Sequence, residues 1–336
     1  MTRTFKPLRI GPIEVDFPVV LAALAGYSDR PFRLICRSCG AAFAATEVML
    51  DTQVVMEGKI QRRLTKLDAS DHPLAGQIMG SEPEVMAGAA VVLARMGFDV
   101  IDLNFACPVR KVLARKRGGY LMSQPERVLD IVRAVRAAVP GTPLTLKLRR
   151  AFHETDQTRE AFWRISRGAF ELGAAAIAVH TRSVDQKYAG RDDREFLCQV
   201  KREFPRRTVI GSGDVLQPAD ALNMLDETGV DGVLAARGAI GNPWFFRQVR
   251  DLASGREVHQ PTLEEQGGVI KRHYELACET YGPGRASLYM RNFGIRYARM
   301  HPYPGKARQA CLGVRNEKEW RAFMATWYGT SVGEEA

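Results

Sequence analysis

Short apolar runs recur along the chain, and each is bounded by turn-forming residues and separated from the next by a longer segment with helical spacing. Continuous apolar runs are typical of strands buried on both faces, as in parallel sheets. Eight such runs occur, at residues 17–24, 42–48, 74–79, 100–105, 144–148, 175–179, 208–210 and 232–235. Alternating strands and helices predict βα units, and eight units favour a closed (β/α)8 barrel over an open sheet of about five or six strands.

The segments between the runs are predicted to be helices, because each opens near Ser, Asp or Pro and several close near Gly. They span residues 30–39, 82–96, 125–139, 158–172, 192–204 and 219–227. After Trp244 the strand pattern stops, and residues 262–328 are predicted to be helical throughout, apart from breaks rich in Gly and Pro. The 336 residues exceed the roughly 250 that a barrel needs. We therefore expect a barrel domain at residues 1–250 and a small helical domain at residues 251–336.

Basic residues are concentrated in the predicted helical domain. The whole chain has 48 Lys and Arg against 38 Asp and Glu, a net charge of +10, which favours a polyanionic partner. No acidic residue lies between Thr280 and Asn316, a segment that holds Arg285, Arg291, Arg296, Arg299, Lys306, Arg308 and Arg315, interleaved with Tyr289, Phe293, Tyr297 and Tyr303. Such a run is often only a solvated helical face. The interleaved aromatics favour a surface that contacts RNA phosphates and stacks on bases.

Cysteine content and hydropathy indicate the cellular compartment in which the protein works. Six cysteines in a chain of this length do not form the dense framework of a secreted scaffold, so we expect a reducing cytoplasm. Glu14 and Asp16 directly precede the first apolar run and favour a buried strand there over a signal peptide. No apolar stretch is long enough to span a bilayer. Cys36 and Cys39 form one C-x-x-C pair without a second, so we expect structural cysteines and no metal site.

Polar residues fall where the predicted strands end. In barrel enzymes the loops at the carboxyl ends of the strands converge on one mouth, and the catalytic residues lie there. The polar residues at these ends are Gln77, Asn104, Cys107, Lys147, Arg149, His180 and Arg182. We interpret this set as the lining of an active site.

The last two predicted strands end in small residues. The seventh is followed by Gly211, Ser212 and Gly213, and the eighth by Ala236 and Arg237. Many barrels bind a phosphate group at these two ends. Glycine lets backbone amides approach an anion, and an arginine adds a fixed positive fork. Tight turns alone also need glycine, but the position after the seventh strand favours a phosphate-bearing cofactor.

Lys147, His180 and Cys107 are the candidate chemical groups of this set. Lys147 lies within an apolar strand, where an unpaired ammonium is costly to bury, and it suits an ion pair, a Schiff base or a reduced, negatively charged flavin. His180 fits the same flavin edge, although a lone histidine at a strand end is more often a satisfied core residue. Cys107 lies on a loop with five basic residues just beyond it, and reactive thiols are partly exposed and electropositive. The alternative for a single Cys is a small buried hydrophobic residue.

At these residues the sequence resembles the tRNA-dihydrouridine synthase family, and the resemblance runs through the whole barrel. The matching motifs, in the family's order, are AGYSDRPF at 25–32, TEVM at 46–49, QIMG at 77–80, DLNFACP at 102–108, KV at 111–112, GG at 118–119, KLR at 147–149, VHTR at 179–182, YAG at 188–190, GSGD at 211–214, RG at 237–238 and PW at 243–244. The chain departs from the family's usual residues at Ala23, Leu24, Ala106, Ser212, Ala236, Asn292 and Phe293.

The resemblance implies an FMN-dependent enzyme that reduces the 5,6 double bond of a uridine in tRNA, in the D-loop by expectation, with NADPH or NADH as reductant. It implies that Cys107 is the general acid that protonates carbon 5. The implied FMN ligands are Ala23, Leu24, Ala25, Gln77, Lys147, His180, Gly211, Ser212, Gly213, Ala236 and Arg237. The implied substrate ligands are Asn104, Arg149, Arg182, Tyr188 and Arg291, and the helical domain is where family members bind RNA.

Three other interpretations stay open at the level of sequence. A dihydroorotate-dehydrogenase-like flavin enzyme that acts on a small molecule does not need the basic helical tail. A non-catalytic RNA-binding protein does not need Cys107, Lys147 and His180 together. An aldolase would use Lys147 as a Schiff base. We expect a monomer that needs no obligate protein partner and does not associate with a membrane.

Overall fold

Eight parallel strands close into a barrel in this structure, a computed structural model that describes residues 3–329. The strands of this part of the chain are β1 (Leu8–Ile10), β2 (Ile13–Val15), β3 (Val19–Leu21), β4 (Ala44–Ala45), β5 (Met49–Leu50), β6 (Leu74–Met79), β7 (Val100–Asn104), β8 (Leu144–Arg149), β9 (Ala176–His180), β10 (Thr208–Ser212) and β11 (Gly232–Ala235). Around the barrel β3 and β4 are followed by β6 to β11, and β11 pairs with β3 to close the ring. Each predicted run contributes one barrel strand, which confirms the (β/α)8 prediction.

Helices follow the strands and then continue beyond the barrel. They are α1 (Arg30–Ser38), α2 (Asp51–Val55), α3 (Lys59–Leu64), α4 (Pro83–Met96), α5 (Arg110–Leu113), α6 (Pro125–Ala138), α7 (Asp156–Glu171), α8 (Arg194–Glu203), α9 (Pro218–Thr228), α10 (Phe245–Ala253), α11 (Leu263–Tyr281), α12 (Pro283–Tyr297), α13 (Pro304–Leu312) and α14 (Glu317–Tyr328). Short 3-10 helices lie at Gly118–Ser123 and Ala298–Met300. Proline occupies the first turn of α4, α6 and α9, where its missing N–H has no partner to lose. In residues 3–329 no helix is long and apolar enough to cross a membrane.

Strand β8 shows how the sequence pattern sorts the side chains. Leu144, Leu146 and Leu148 are fully buried in the core that the strands share with the outer helices. Successive side chains of a strand point to opposite faces, so Thr145 and Lys147 face the barrel interior. The leucines of β8 therefore pack against the outer helices, and Thr145 and Lys147 line the interior of the barrel.

A hairpin of β1 and β2, which was not predicted, closes the amino end of the barrel. Leu8, Ile10 and Val15 of the hairpin are at most 2% exposed. They belong to a separate apolar cluster with interior residues of the barrel strands, among them Val20 and Val100. The carboxyl end is left as the open mouth.

The aromatic residues of α12 pack inside the protein rather than on its surface. Phe293 and Tyr297 are 1% and 2% exposed, and Phe293 lies 5.1 Å from the ring of Phe32 in α1. The hydroxyl of Tyr289 donates to Asp29 of the barrel at 2.7 Å. The interpretation of these three aromatics as base-stacking groups is therefore wrong, since residues four apart share one helix face and this face packs on the barrel. Tyr303 is 63% exposed.

We predict that Gly241→Ala destabilises the fold more than Gly229→Ala. Gly241 has a φ of +79°, and a Cβ there would lie 2.5 Å from the backbone carbon of Arg296 in α12. Gly229 also has a positive φ, +68°, but nothing lies within 4 Å of its Cβ position. Left-handed strain of about 1–2 kcal/mol is common to both variants, and overpacking adds about 1–3 kcal/mol at Gly241 alone. Urea unfolding measures the difference, and equal losses would contradict this packing.

Candidate active site

The parallel register places the predicted polar residues side by side around the mouth. The cross-strand pairs are Gln77 with Asp102, Asn104 with Lys147, Arg149 with His180, and His180 with Ser212. These pairs lie at the carboxyl ends of five consecutive strands, β6 to β10. The strand ends thus bring together residues that are up to about 135 positions apart in the sequence.

A chain of hydrogen bonds runs across three of these strands. Thr145 Oγ1 and Gln77 Nε2 both donate to the Asp102 carboxylate, at 2.7 and 2.6 Å. Asn104 Nδ2 donates to Gln77 Oε1 at 2.6 Å, and the backbone N–H of Cys107 donates to Asn104 Oδ1 at 3.0 Å. Burial raises the pKa of Asp102, and the hydrogen bonds from Gln77 and Thr145 oppose that shift. The backbone of the Cys107 loop is therefore anchored to a buried carboxylate.

Cys107 is half-buried at the start of the loop that follows β7. Its carbonyl accepts from Gly119 N at 3.0 Å, and a Cβ on Gly118 would lie 3.0 Å from its own Cβ, so both glycines are needed for this close approach. Burial raises the pKa of the thiol, while a backbone hydrogen bond from Val109 and the charge of Arg149 oppose the rise. The thiol is thus protonated at neutral pH, as a general acid must be.

Arg149 and Arg182 hold backbone loops at the mouth. Arg149 donates to the carbonyl of Ala106 beside the cysteine and to the carbonyls of Ser183 and Lys187, each at 2.8 Å. Arg182 is 2% exposed and donates to the carbonyls of Ala189 and Gly190. Burial lowers the pKa of Arg149 to about 10. Arg149 therefore connects the cysteine loop to the loop after β9, and Arg182 holds the far part of that second loop.

Asp214 also lies at the mouth, although the sequence pattern indicated no role for its side chain. It accepts from Arg182 at 2.5 and 3.0 Å and from Arg237 at 3.1 Å, and the hydrogen bond from Arg182 holds its pKa below the usual range. The ring of Tyr188 lies between Arg149 and Arg237, 5.7 and 5.4 Å from their guanidinium carbons. With 59% of its surface exposed, Tyr188 offers a flat face at the rim.

Lys147 and His180 each have a side-chain nitrogen at the mouth that lacks a partner among the described residues. Neither Lys147 Nζ nor His180 Nε2 has a hydrogen-bond partner among residues 3–329, although both atoms are buried. Burial lowers the pKa of Lys147 to about 7 and that of His180 to about 2, so the imidazole is neutral. Buried polar groups almost always have a partner, supplied by the protein or by a ligand. Two such groups on neighbouring strands fit the polar edge of a heteroaromatic ring such as a flavin.

The small residues at the end of β10 are explained in part by packing. A Cβ on Gly211 would lie 2.8 Å from Met224 and one on Gly213 would lie 2.5 Å from Asp192, so a side chain at either position would have to displace a neighbouring side chain. Ser212 Oγ lies 3.5 Å from His180 Nδ1.

The other predicted ligands divide into two groups by position. Ala23, Leu24 and Ala25 follow β3 and Ala236 follows β11, so these four lie at the carboxyl ends of barrel strands with the rest of the predicted cofactor set. Arg291 lies in α12, where it donates to the carbonyl of Val314 at 3.2 Å. Its hydrogen bond ties it to the interior of the helical region instead of to the mouth.

The fold is a (β/α)8 barrel, and its polar mouth lies at the carboxyl ends of the strands, where barrel enzymes have their active sites. The family model described as "Dihydrouridine synthase (Dus)" matches residues 20–320, and the chain belongs to this family.

Two relatives match over most of their length. A probable tRNA-dihydrouridine synthase of Mycobacterium tuberculosis is 32% identical over 334 residues, which cover 96% of this chain and 85% of the relative. A tRNA-dihydrouridine synthase B of Xanthomonas axonopodis pv. citri is 35% identical over 300 residues, which cover 88% of each chain.

Solved structures with the same barrel are much more distant in sequence. A variant of NCR from Zymomonas mobilis has a TM-score of 0.57 at 15% identity, covering 79% of this chain and 95% of that one. A 2-naphthoyl-CoA reductase has a TM-score of 0.56 at 13% identity, covering 75% of this chain and 52% of that one. At these identities the likeness shows the fold alone.

We predict that Lys147→Met stabilises the protein without added cofactor by about 1–3 kcal/mol at pH 7, because an unpaired buried amine is removed. The folded-state pKa of about 7 lies below the ordinary 10.5, so the lysine destabilises the fold below pH 10.5 and this effect shrinks as pH rises from 7. Urea unfolding at pH 7 and pH 9 measures both effects. Lys201→Met is the control and should destabilise, since Lys201 pairs with Asp231 at 2.7 Å. A loss of stability in Lys147→Met would contradict an unpaired Lys147.

Proposed function

We propose that this protein is an FMN-dependent enzyme that reduces the 5,6 double bond of a uridine in tRNA, with NADPH or NADH as the reductant. One observation carries the proposal. The mouth contains a half-buried thiol, Cys107, together with two buried polar groups that lack partners, Lys147 Nζ and His180 Nε2. Reduction of a carbon–carbon double bond requires a proton donor and a hydride donor. The thiol would be the proton donor, and the two unpartnered groups would bind the cofactor that donates the hydride. The names of the relatives indicate tRNA as the substrate.

The cofactor would bind at the end of the mouth formed mainly by β8 to β11. Lys147 would place a cation against the electron-rich edge of the ring. His180 is neutral, and if its Nδ1 accepts from Ser212, its Nε2 carries the proton and donates to a carbonyl of the ring. Gln77 would contribute an amide N–H. The loops that begin at Gly211 and Ala236 would hold the phosphate, with Arg237 as the positive group.

The flavin, reduced by the nicotinamide, would supply the hydride that adds to carbon 6 of the uracil. Cys107 donates its proton to carbon 5, so that one hydride and one proton saturate the bond. Burial raises the pKa of Cys107, and the positive charge of Arg149 opposes that rise, so Arg149 helps to stabilise the thiolate that remains. Because the thiol is partly exposed, solvent can return the proton. Asn104, Arg182 and Tyr188 line the mouth where the base enters, and a base reaches such a site only after it leaves its stack.

The helical domain at 251–336 would hold the RNA backbone. Within residues 3–329 none of the basic side chains between Thr280 and Asn316 forms an ion pair, so their charges are available to phosphates. A cavity of about 330 Å³ lies there between α12 and α13, lined by Arg296, Arg299 and Arg308. With the aromatics of α12 buried, we expect RNA binding by this domain to depend on charge much more than on stacking.

Cys107→Ala tests the chemistry. The variant should bind flavin and accept electrons from NADPH, because Cys107 contacts the substrate and not the cofactor. Reduction of uridine in tRNA should fall at least about a hundredfold, the lower range for loss of a general acid. Anaerobic stopped-flow measurement separates the two half-reactions. Normal turnover of uridine by the variant would rule out Cys107 as the acid.

A charge-neutral triple variant tests the RNA surface. Arg296→Gln, Arg299→Gln and Arg308→Gln together should weaken tRNA binding about tenfold or more and flatten its salt dependence, since fewer counterions are released. Reduction of the flavin should be unchanged. The control variant neutralises Arg95, Arg202 and Arg206, which are exposed at the amino end of the barrel, opposite the mouth. Equal weakening by both variants would show only a general effect of net charge.

A further inference from the structure

The hydrogen-bond chain at the mouth is fixed in direction from its loop end. Asn104 Oδ1 accepts two backbone N–H groups, from Ala106 and Cys107, both at 3.0 Å. A backbone N–H can only donate, so the oxygen of the Asn104 amide must face the loop and its nitrogen must face Gln77. Gln77 therefore turns its oxygen toward Asn104 and its nitrogen toward Asp102. Neither side-chain amide can turn over by 180° without losing hydrogen bonds.

The same chain is fixed from its other end by Asp102. The carboxyl oxygens of Asp102 accept from the nitrogen of Gln77 and from the hydroxyl of Thr145. Without an acceptor at position 102, only the hydrogen bond from Asn104 keeps the Gln77 amide in this orientation. If the Gln77 amide turned over, Asn104 would have to turn over as well, and its nitrogen would then face the two backbone N–H groups of the loop. Donor would face donor, and the loop would lose both hydrogen bonds.

We propose that Asp102 is a positioning residue that sets the direction of the Gln77 and Asn104 amides and thereby holds the Cys107 loop in place for proton transfer. The proposal rests on the proposed function for its catalytic meaning but not for its geometry. In this orientation each amide uses one of its two N–H bonds within the chain of hydrogen bonds. The second N–H of each amide can donate to a ligand. This polarity matches carbonyl oxygens, which a uracil ring and a flavin ring both carry.

The choice of substitutions separates hydrogen-bond direction from charge. Asp102→Asn keeps an oxygen for Gln77, and its new nitrogen can donate to Thr145, because a hydroxyl also accepts. The direction of the chain survives in this variant although the charge is lost. Asp102→Leu fills a similar volume but offers no acceptor. Gln77→Leu cuts the chain one step nearer to the loop and remains informative if Asp102→Leu does not fold.

The direct measurement is the rate at which iodoacetamide alkylates Cys107, followed peptide by peptide with mass spectrometry and with saturating FMN present. Half-buried Cys198 on α8 is the internal reference. Asp102→Leu and Gln77→Leu should each speed alkylation of Cys107 at least about fivefold, the factor expected when two loop hydrogen bonds weaken. Asp102→Asn should stay within about twofold of the wild type. Reduction of tRNA uridine should follow the same order, with loss in the leucine variants and retention in Asp102→Asn.

Asp99→Leu is the matched control. Asp99 directly precedes the same strand and accepts from Leu74 N and from His72, at 2.6 and 2.7 Å, but it lies at the amino end of the barrel. Its loss should leave alkylation of Cys107 at the wild-type rate. The proposal is overturned if Asp102→Asn behaves like Asp102→Leu, because charge would then be the cause, or if the leucine variants alkylate like the wild type. Since alkylation needs neither RNA nor turnover, a failure of the tRNA assignment leaves this test intact.

Discussion

Burial of polar groups at the carboxyl end of the barrel is the constraint on which the site depends. A polar group removed from water must find a partner or destabilise the fold, and the parallel register decides which partners are within reach. Asp102, Gln77 and Asn104 satisfy one another across adjacent strands. Lys147 Nζ and His180 Nε2 find no partner in the described chain. The satisfied groups form the scaffold of the mouth, and the unsatisfied pair marks where a ligand completes it.

The cysteine loop is held from two sides by independent contacts. Asn104 binds its N–H groups, and Arg149 binds the carbonyl of Ala106 in the same loop. Arg149 also binds the loop after β9, so the thiol and the exposed face of Tyr188 belong to one connected unit. The Cys107 thiol and the rim of the mouth therefore keep a fixed separation. In the proposed reaction a planar base would fit between a proton donor and a hydride donor, and a fixed separation would make that geometry reproducible.

The helical region is attached close to the mouth. Asp29, which caps α1, accepts from the hydroxyls of Tyr281 and Tyr289, and the ring of Tyr27 lies 5.4 Å from Phe293. Residues 23–25, just before this contact, are among the proposed cofactor ligands. An RNA bound on the helical domain would therefore be held at a fixed position relative to the barrel mouth.

The barrel could be predicted from the sequence because strands buried on both faces are continuous apolar runs. The hairpin at Leu8–Val15 escaped prediction because each of its strands has a charged residue between two apolar ones, so no continuous apolar run marks it. The mouth was found from polar residues at strand ends, but the loop contacts of Arg149 and Arg182 leave no sequence signal, since their partners are backbone carbonyls. Asp102 had the same signal as Lys147, a charge inside an apolar strand. The spacing of four between Tyr289, Phe293 and Tyr297 indicated a buried helix face, and it was outweighed by the neighbouring arginines.

The most direct test of the account follows electrons from the nicotinamide to the RNA. The protein is reduced anaerobically with NADPH, an unmodified tRNA transcript is added, and the flavin absorbance is recorded while the RNA is assayed for dihydrouridine. The account predicts that the flavin is reoxidised and that dihydrouridine forms in equal amount. A flavin that is reduced but stays reduced in the presence of tRNA would contradict the substrate assignment, and a protein that binds no flavin would contradict the account as a whole.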